Sequence, residues 1–168
     1  FDWASVVKYP APTSGAIVVT GASTGIGRSA AVALAKEGFT VYAGVRKESD
    51  AKSITAEAKT LKATGSLKPL ILDVAKSDTI LNAVKTVEEA GEPLVGLVNN
   101  AGILDNLALE ICGLDKWQKV FDVNVFGLVE TTQEFLPLIR KSKGRVVIIG
   151  SAVGSFSFPG MSVYCASK

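Results

Sequence analysis

Histidine is absent from the 168 residues. That absence removes the Ser-His-Asp triad and most zinc sites, and leaves acid–base work to Tyr, Lys, Asp or Glu. Cysteine is scarce: Cys112 and Cys165 lie far apart in sequence, which argues against a disulfide framework or a metal centre. No run of about eighteen apolar residues occurs, so no membrane-spanning helix is expected. Neither sign of charge dominates, with 18 basic and 16 acidic residues interspersed for a net charge of +2. Neither nucleic acid nor an anionic membrane surface is therefore an expected partner. Position 1 is Phe rather than Met, and residues 1–15 have neither the apolar core of a signal peptide nor the Arg/Ser bias of a transit peptide. Either a leading segment has been cleaved or it lies outside the given sequence, and the expected location is inside the cell, in the cytoplasm or an organelle interior.

What is present is organised around Ile17-Val18-Val19-Thr20-Gly21-Ala22-Ser23-Thr24-Gly25-Ile26-Gly27-Arg28. A β-branched run stops at Thr20, passes through small residues, and becomes the helical periodicity Ile26, Ala30, Ala31, Leu34. Glycines let the main chain approach a ligand closely, and the free N–H groups of a helix start favour an anion. The spacing Gly-x-x-x-Gly-x-Gly spans one residue more than the common dinucleotide fingerprint, but strand before and helix after are both in place. Arg28 rather than a lysine follows Gly27, which excludes a mononucleotide P-loop.

After an irregular lead-in over 1–15, where Trp3, Val6 and Val7 are candidates to pack on the domain, strands alternate with helices over 16–168. Strands are expected at 16–20, 40–45, 67–72, 94–98 and 144–149. Helices are expected from the glycine turn to Glu37, at 50–63, from a cap at Ser77 and Asp78 to Ala90, from a cap at Asp115 to Lys141, and from Met161 onward. Glycines 38, 65, 91 and 144 mark the stops. Central strands without alternation are those of a parallel sheet covered on both faces. The expected fold is a doubly wound α/β sheet of the Rossmann type, three layers deep and incomplete at its C-terminal side.

Thr20, Arg46, Asp73, Asn99 and Ser151 each end or follow a strand, which gathers them round one crevice. About twenty residues past the glycines, where an acid would take up a ribose hydroxyl, stand Arg46 and Lys47; Arg46 suits a 2′-phosphate, favouring NADP(H) over NAD(H). Asp73 is placed to meet an adenine amino group, or merely to lead a helix. Asn99 and Asn100, beside Ala101 and Gly102, suit a close turn that holds main chain or cofactor. Tyr164 and Lys168 are one helical turn apart. A tyrosine is a poor base, with an ordinary pKa near 10, but a neighbouring ammonium stabilises its phenolate. Ser151, thirteen residues before Tyr164, is a candidate to bond the same substrate oxygen. Asn124 puts an amide on the apolar stripe of Trp117, Val120 and Phe121: a satisfied core asparagine, or a helix kink holding a water that relays protons to Lys168.

In Thr20-Gly21-Ala22-Ser23-Thr24-Gly25-Ile26-Gly27, Asp73-Val74, Asn99-Asn100-Ala101-Gly102, Asn124, Ser151 and Tyr164-Cys165-Ala166-Ser167-Lys168, the chain resembles the short-chain dehydrogenase/reductase family from about Ala16 to its last residue. The stretches 96–102, 135–140 and 144–147 look like the branch containing retinol, hydroxysteroid and 3-hydroxybutyrate dehydrogenases. The resemblance implies hydride transfer between a nicotinamide dinucleotide and a small secondary alcohol or carbonyl. Tyr164 would be acid/base, and Lys168 would lower its pKa and hold the nicotinamide ribose. Ser151 would orient the substrate and Asn124 support a proton relay. Family members continue past the lysine, so the chain reads as part of a longer protein whose fifth strand would otherwise be an open apolar edge. A homo-oligomer is the expected assembly, and a non-catalytic nucleotide-binding subunit of a larger complex is the alternative function.

Overall fold

A computed structural model of the protein describes residues 10–168. The expected packing of Trp3, Val6 and Val7 lies outside the described residues. Five parallel strands, β1 (Ala16–Val19), β2 (Thr40–Val45), β3 (Ser66–Ile71), β4 (Leu94–Asn99) and β5 (Arg145–Ile148), form one sheet in the order β3-β2-β1-β4-β5. Helices α1 (Gly25–Lys36), α2 (Glu48–Thr60), α3 (Ser77–Glu89) and α5 (Gly127–Ser142) cover it, while α4 (Leu114–Phe121) and α6 (Ser162–Ser167) gather at one end. Crossovers leave β1 first towards β3 and then, from the other side of β1, towards β5. The sheet is thus doubly wound, and the reversal falls between β1 and β4.

The layers follow from the alternation of side chains along β1, all of which is buried. Ala16 and Val18 point to one face, where they meet Leu70, Ile80, Val87 and Phe135 under α3 and α5. Ile17 and Val19 point to the other, against Ala31, Ala35, Ala51 and Ile54 of α1 and α2. Small alanines on α1 and larger residues on the sheet allow close approach. In β4 the pairing slips: Ala16 lies opposite Leu94, but Ile17 lies opposite Gly96. The additional residue puts Leu94 and Leu97, three apart, on the same face.

A third, smaller cluster lies apart from the sheet. Cys112, Val120 and Val163 are buried together, with Ile103, Leu107, Trp117 and Phe121 against them. It joins the loop after β4 to α4 and α6, and so sets where Tyr164 and Lys168 can stand.

Several boundaries differ from the sequence expectation. The backbone cap of α3 is Lys76, not Ser77 or Asp78, because Thr79 Oγ1 donates to the carbonyls of Asp73 and Lys76 and closes the turn from inside. Gly113 caps α4, and Asp115 sits in its first turn, where its charge still suits the helix dipole. Lys143, with φ 55°, takes the left-handed position after α5 that the sequence assigned to Gly144. In β3 only Leu67 and Leu70 are buried, and Lys68, Pro69 and Ile71 are exposed; β3 has a neighbour on one side only, which also accommodates Pro69. β5 is the opposite edge, and Val147 and Ile148 are exposed on it.

Candidate functional site

The loops after β1 and β4 meet where the sheet reverses. Gly21 has φ +64°, and a side chain there would run into Ala101 Cα at 2.8 Å. Gly27, in the first turn of α1, lies so close to the second loop that a Cβ would be 2.3 Å from Asn100 Nδ2 and 2.6 Å from the Gly21 carbonyl. Gly25 is also left-handed, at φ +59°, and has open space where its side chain would be. Two glycines therefore permit close packing of main chain, and the third keeps a cradle empty in front of the first turn of α1.

Hydrogen bonds fasten the two loops. Thr20 is almost wholly buried, and its Oγ1 accepts from the N–H groups of Asn100 (3.0 Å) and Ala101 (2.9 Å). Asn100 Nδ2 donates to the carbonyls of Thr20 (2.9 Å) and Gly21 (3.1 Å). Arg28, noted in the sequence only for not being a lysine, adds a further tie: its guanidinium donates to the Ser23 carbonyl at 3.0 Å and to Glu57 of α2 at 2.8 Å. Thr20→Val keeps the shape of the side chain but leaves two turn amides without their acceptor. Thermal or denaturant melting is expected to show a loss of about 1–3 kcal/mol, against near-neutrality if solvent replaced the hydroxyl.

Beside this junction lies a cavity of about 310 Å³, lined by Gly21, Ser23, Thr24, Ile26 and Gly27 from the first loop and by Arg46 after β2. Asp73 and Val74 after β3, and Asn100, Ala101 and Gly102 after β4, complete its polar and main-chain wall. Its apolar side, from Val45, Leu72, Ile103 and Val123, was not singled out in the sequence. The signal was there, in that each adjoins a marked residue in the chain: Arg46, Asp73, Gly102 and Asn124. Thr20 and Asn99 stand behind this lining rather than in it. The side chain of Asn99 turns to α5, donating to Thr132 Oγ1 at 2.8 Å. Asp73 Oδ1 accepts from the Ala75 N–H at 3.2 Å, so the carboxylate also leads the chain towards α3.

Lys168 lies where α6, the end of β5 and the loop after β4 meet. Its Nζ donates to the Ile149 carbonyl at the end of β5 (3.2 Å) and lies 5.8 Å from the centre of the Tyr164 ring. A Cβ on Gly102 would be 3.2 Å from the same Nζ, so the ammonium stands at the rim of the cavity. Burial lowers the pKa of this lysine from its ordinary 10.5. Ser151, just beyond β5, caps a short 3-10 turn, its Oγ accepting from the Val153 N–H at 3.4 Å.

Asn124 lies in a π-helical turn, Asp122–Phe126, between α4 and α5, so the helix is irregular at the polar residue of the stripe. Its amide is committed to protein partners. Oδ1 accepts from Ile103 N–H, and Nδ2 donates to the Ile103 carbonyl and to Ser167 Oγ, all within 2.8–2.9 Å. Ser167, not singled out in the sequence, donates in turn to the Tyr164 carbonyl at 2.8 Å. Asn124 thus ties the loop after β4 to the helix that carries Tyr164.

An empty cradle before a helix start, a guanidinium at the far wall and an ammonium at the near rim fit an extended, phosphate-containing ligand. The chain matches a family model described as short chain dehydrogenase over residues 15–168. It is 38% identical over 157 residues to the mitochondrial D-beta-hydroxybutyrate dehydrogenase of Rattus norvegicus, covering 91% of this chain and 46% of that protein. It is 40% identical over 157 residues to estradiol 17-beta-dehydrogenase 2 of Mus musculus, covering 91% of this chain and 40% of that one. Among solved structures, an alcohol dehydrogenase from Thermococcus sibiricus complexed with 5-hydroxy-NADP superposes with a TM-score of 0.84 at 25% identity, over 92% of this chain and 65% of the other. The chain spans about half the length of the curated relatives it matches.

Proposed function

The chain belongs to the short-chain dehydrogenase family, and from that premise we propose that the protein carrying it is an NADP(H)-dependent oxidoreductase of secondary alcohols or the corresponding carbonyls. The observation that carries the reading is the position of Lys168 Nζ, between the Tyr164 ring, the end of β5 and Gly102 at the cavity rim. The cofactor, when bound, supplies the hydride chemistry; the protein supplies position and charge. Thr20, Gly21, Ser23, Thr24, Gly25, Ile26 and Gly27 form the pyrophosphate turn, Asp73 and Val74 border the adenine, and Asn99, Asn100, Ala101 and Gly102 back the nicotinamide end. Tyr164 and Lys168 hold its ribose. Tyr164 exchanges a proton with the substrate oxygen, Ser151 steadies that oxygen, and Asn124 positions α6 through Ser167. The names of the relatives span a small hydroxy acid and a steroid alcohol, which supports the reaction class without choosing between them.

Arg46 carries the choice of cofactor. It is exposed, follows β2 directly, and lines the cavity with Ser23 and Thr24. Fluorescence titration of the full-length protein should give tighter binding of NADPH than of NADH. Arg46→Ala should weaken NADPH about 10- to 100-fold, the worth of a charge-assisted bond, and leave NADH unchanged. Equal affinity for both in the parent protein defeats the assignment.

The buried ammonium makes a further prediction. A lysine held below 10.5 in the folded protein releases its proton earlier than one in the unfolded chain. Between those two values the unfolded state binds more protons, so stability rises with pH across that window. The charge that supports Tyr164 is lost in the same window. Alcohol oxidation should therefore decline on the alkaline side below pH 10.5, the ordinary lysine value, and Lys168→Arg should move the decline upward. A pH–rate profile in which the two proteins decline together would refute this.

A further inference from the structure

Arg28 touches the glycine turn without reaching the cavity. Its guanidinium is turned towards α2, where Nε donates to Glu57 Oε2 at 2.8 Å and Nη2 to Ser53 Oγ at 3.0 Å. Nη2 also lies 2.8 Å from the same carboxylate oxygen. The remaining arm, Nη1, reaches back to the Ser23 carbonyl at 3.0 Å. Ser23 and Thr24 line the cavity, and Arg28 does not. An ion pair this open to water, with side chains 27% and 32% exposed, contributes little to stability. Three acceptors in three directions do need the planar fork of an arginine.

What the fork holds is one peptide unit. A trans peptide is planar, and its C=O and N–H point in opposite directions; no cis bond occurs among the described residues. With the Ser23 carbonyl fixed on Nη1, the Thr24 N–H of the same unit is fixed on the side away from the guanidinium. Among the described residues that N–H has no hydrogen-bond partner, and the bond to Arg28 is the one that the unit makes. Thr24 is exposed and extended just before the first turn of α1, and Gly25 after it leaves open space. A unit with a single bond and an open side is free to turn over once that bond is lost. Arg28 therefore decides which way the N–H faces.

We infer that Arg28 is a positioning residue for the cofactor: it turns the Ser23–Thr24 peptide unit so that the Thr24 N–H faces a phosphate oxygen, while Glu57 and Ser53 hold the guanidinium itself out of the cavity. The inference rests on the proposed cofactor site, of which Thr24 is part. A hydrogen bond to an anionic oxygen is stronger than one between neutral groups, and an N–H already aimed loses no freedom when the ligand arrives. Reversed, the unit would present the Ser23 carbonyl to the phosphate, oxygen against oxygen. Arg46 acts on the ligand directly, and Arg28 acts on it through main chain.

The test uses the full-length protein, the variants Arg28→Met and Glu57→Leu, and the probes NADPH, ADP and 2′-AMP. The first variant keeps the stem of the side chain and loses every donor; the second cuts the ion pair and leaves the bond to Ser23. Calorimetric titration should show NADPH bound about tenfold more weakly by Arg28→Met, and within about twofold of the parent by Glu57→Leu. ADP carries the pyrophosphate and 2′-AMP the other phosphate, so a loss confined to one of them tells which group Thr24 meets. In isotope-labelled protein the Thr24 amide proton should move downfield when NADPH binds to the parent and to Glu57→Leu, but not to Arg28→Met. Equal weakening of ADP and 2′-AMP, equal weakening in the two variants, or a Thr24 amide in the parent that ignores the ligand overturns the inference. NADPH bound with this signature but no hydride transferred removes the reaction class and leaves Arg28 in its role. Turnover by the parent, with NADPH affinity untouched in Arg28→Met, does the reverse.

Discussion

Replacing Tyr164 with Phe is expected to lower turnover about 100- to 10,000-fold, the range that a positioned proton donor contributes. The change removes one oxygen and leaves the ring, so the 5.8 Å approach of Lys168 Nζ to that ring, and the bond from Ser167 Oγ to the Tyr164 carbonyl, have no reason to alter. Cofactor affinity should therefore stay within a few-fold of the parent. A phenylalanine protein that still turns over at a tenth of the original rate would remove Tyr164 from the chemistry. A collapse of cofactor affinity together with rate would instead assign the residue to binding. The split between the two constants, read from steady-state rates and from direct titration, also separates an enzyme from a subunit that only holds a nucleotide.

Gly27→Ala is expected to weaken cofactor binding by about 100-fold. The new methyl would sit 2.3 Å from Asn100 Nδ2 and 2.6 Å from the Gly21 carbonyl, and the second of these is main chain with nowhere to go. Relief requires Asn100 to give up its bonds to the Thr20 and Gly21 carbonyls, or α1 to tilt away from the sheet. Overpacking of this kind costs about 1–3 kcal/mol, and each lost hydrogen bond about 0.5–1.5 kcal/mol more. Gly25→Ala is the control: it meets no neighbour, yet its φ of +59° disfavours any side chain, so its effect should be smaller and confined to the cradle. Equal, slight effects of both would show that the junction yields easily.

Much of this was legible in the residues themselves, for reasons that differ from place to place. The glycine turn was readable because a strand, a turn and a helix start are local, and the strand-end positions of Arg46 and Asp73 followed once the strands were placed. Helix caps were less so. Asp115, Ser77 and Asp78 have the right chemistry, but the N-terminal boundary is decided by where the main chain leaves the extended region, at Gly113 and Lys76. Asn124 announced itself as an amide on an apolar stripe, yet its partners, Ile103 and Ser167, lie 21 and 43 residues away and are invisible to any local pattern. Arg28 gave no sign of its structural tie, since one arginine on a helix surface looks like any other until α2 arrives with Glu57. The order of the strands, and the slip in β4 that lets Leu94 and Leu97 share a face, are likewise products of pairing.

The hydroxyl of Thr20 bonds to main chain 80 and 81 positions further along. A contiguous signature is thereby finished by a distant strand, so the nascent chain cannot complete its nucleotide seat as soon as β1 and α1 have formed. Closing so long a segment is slow compared with local helix formation. Ligand capture during refolding would then mark a late event, the arrival of β4 beside β1, and would trail the appearance of helical signal.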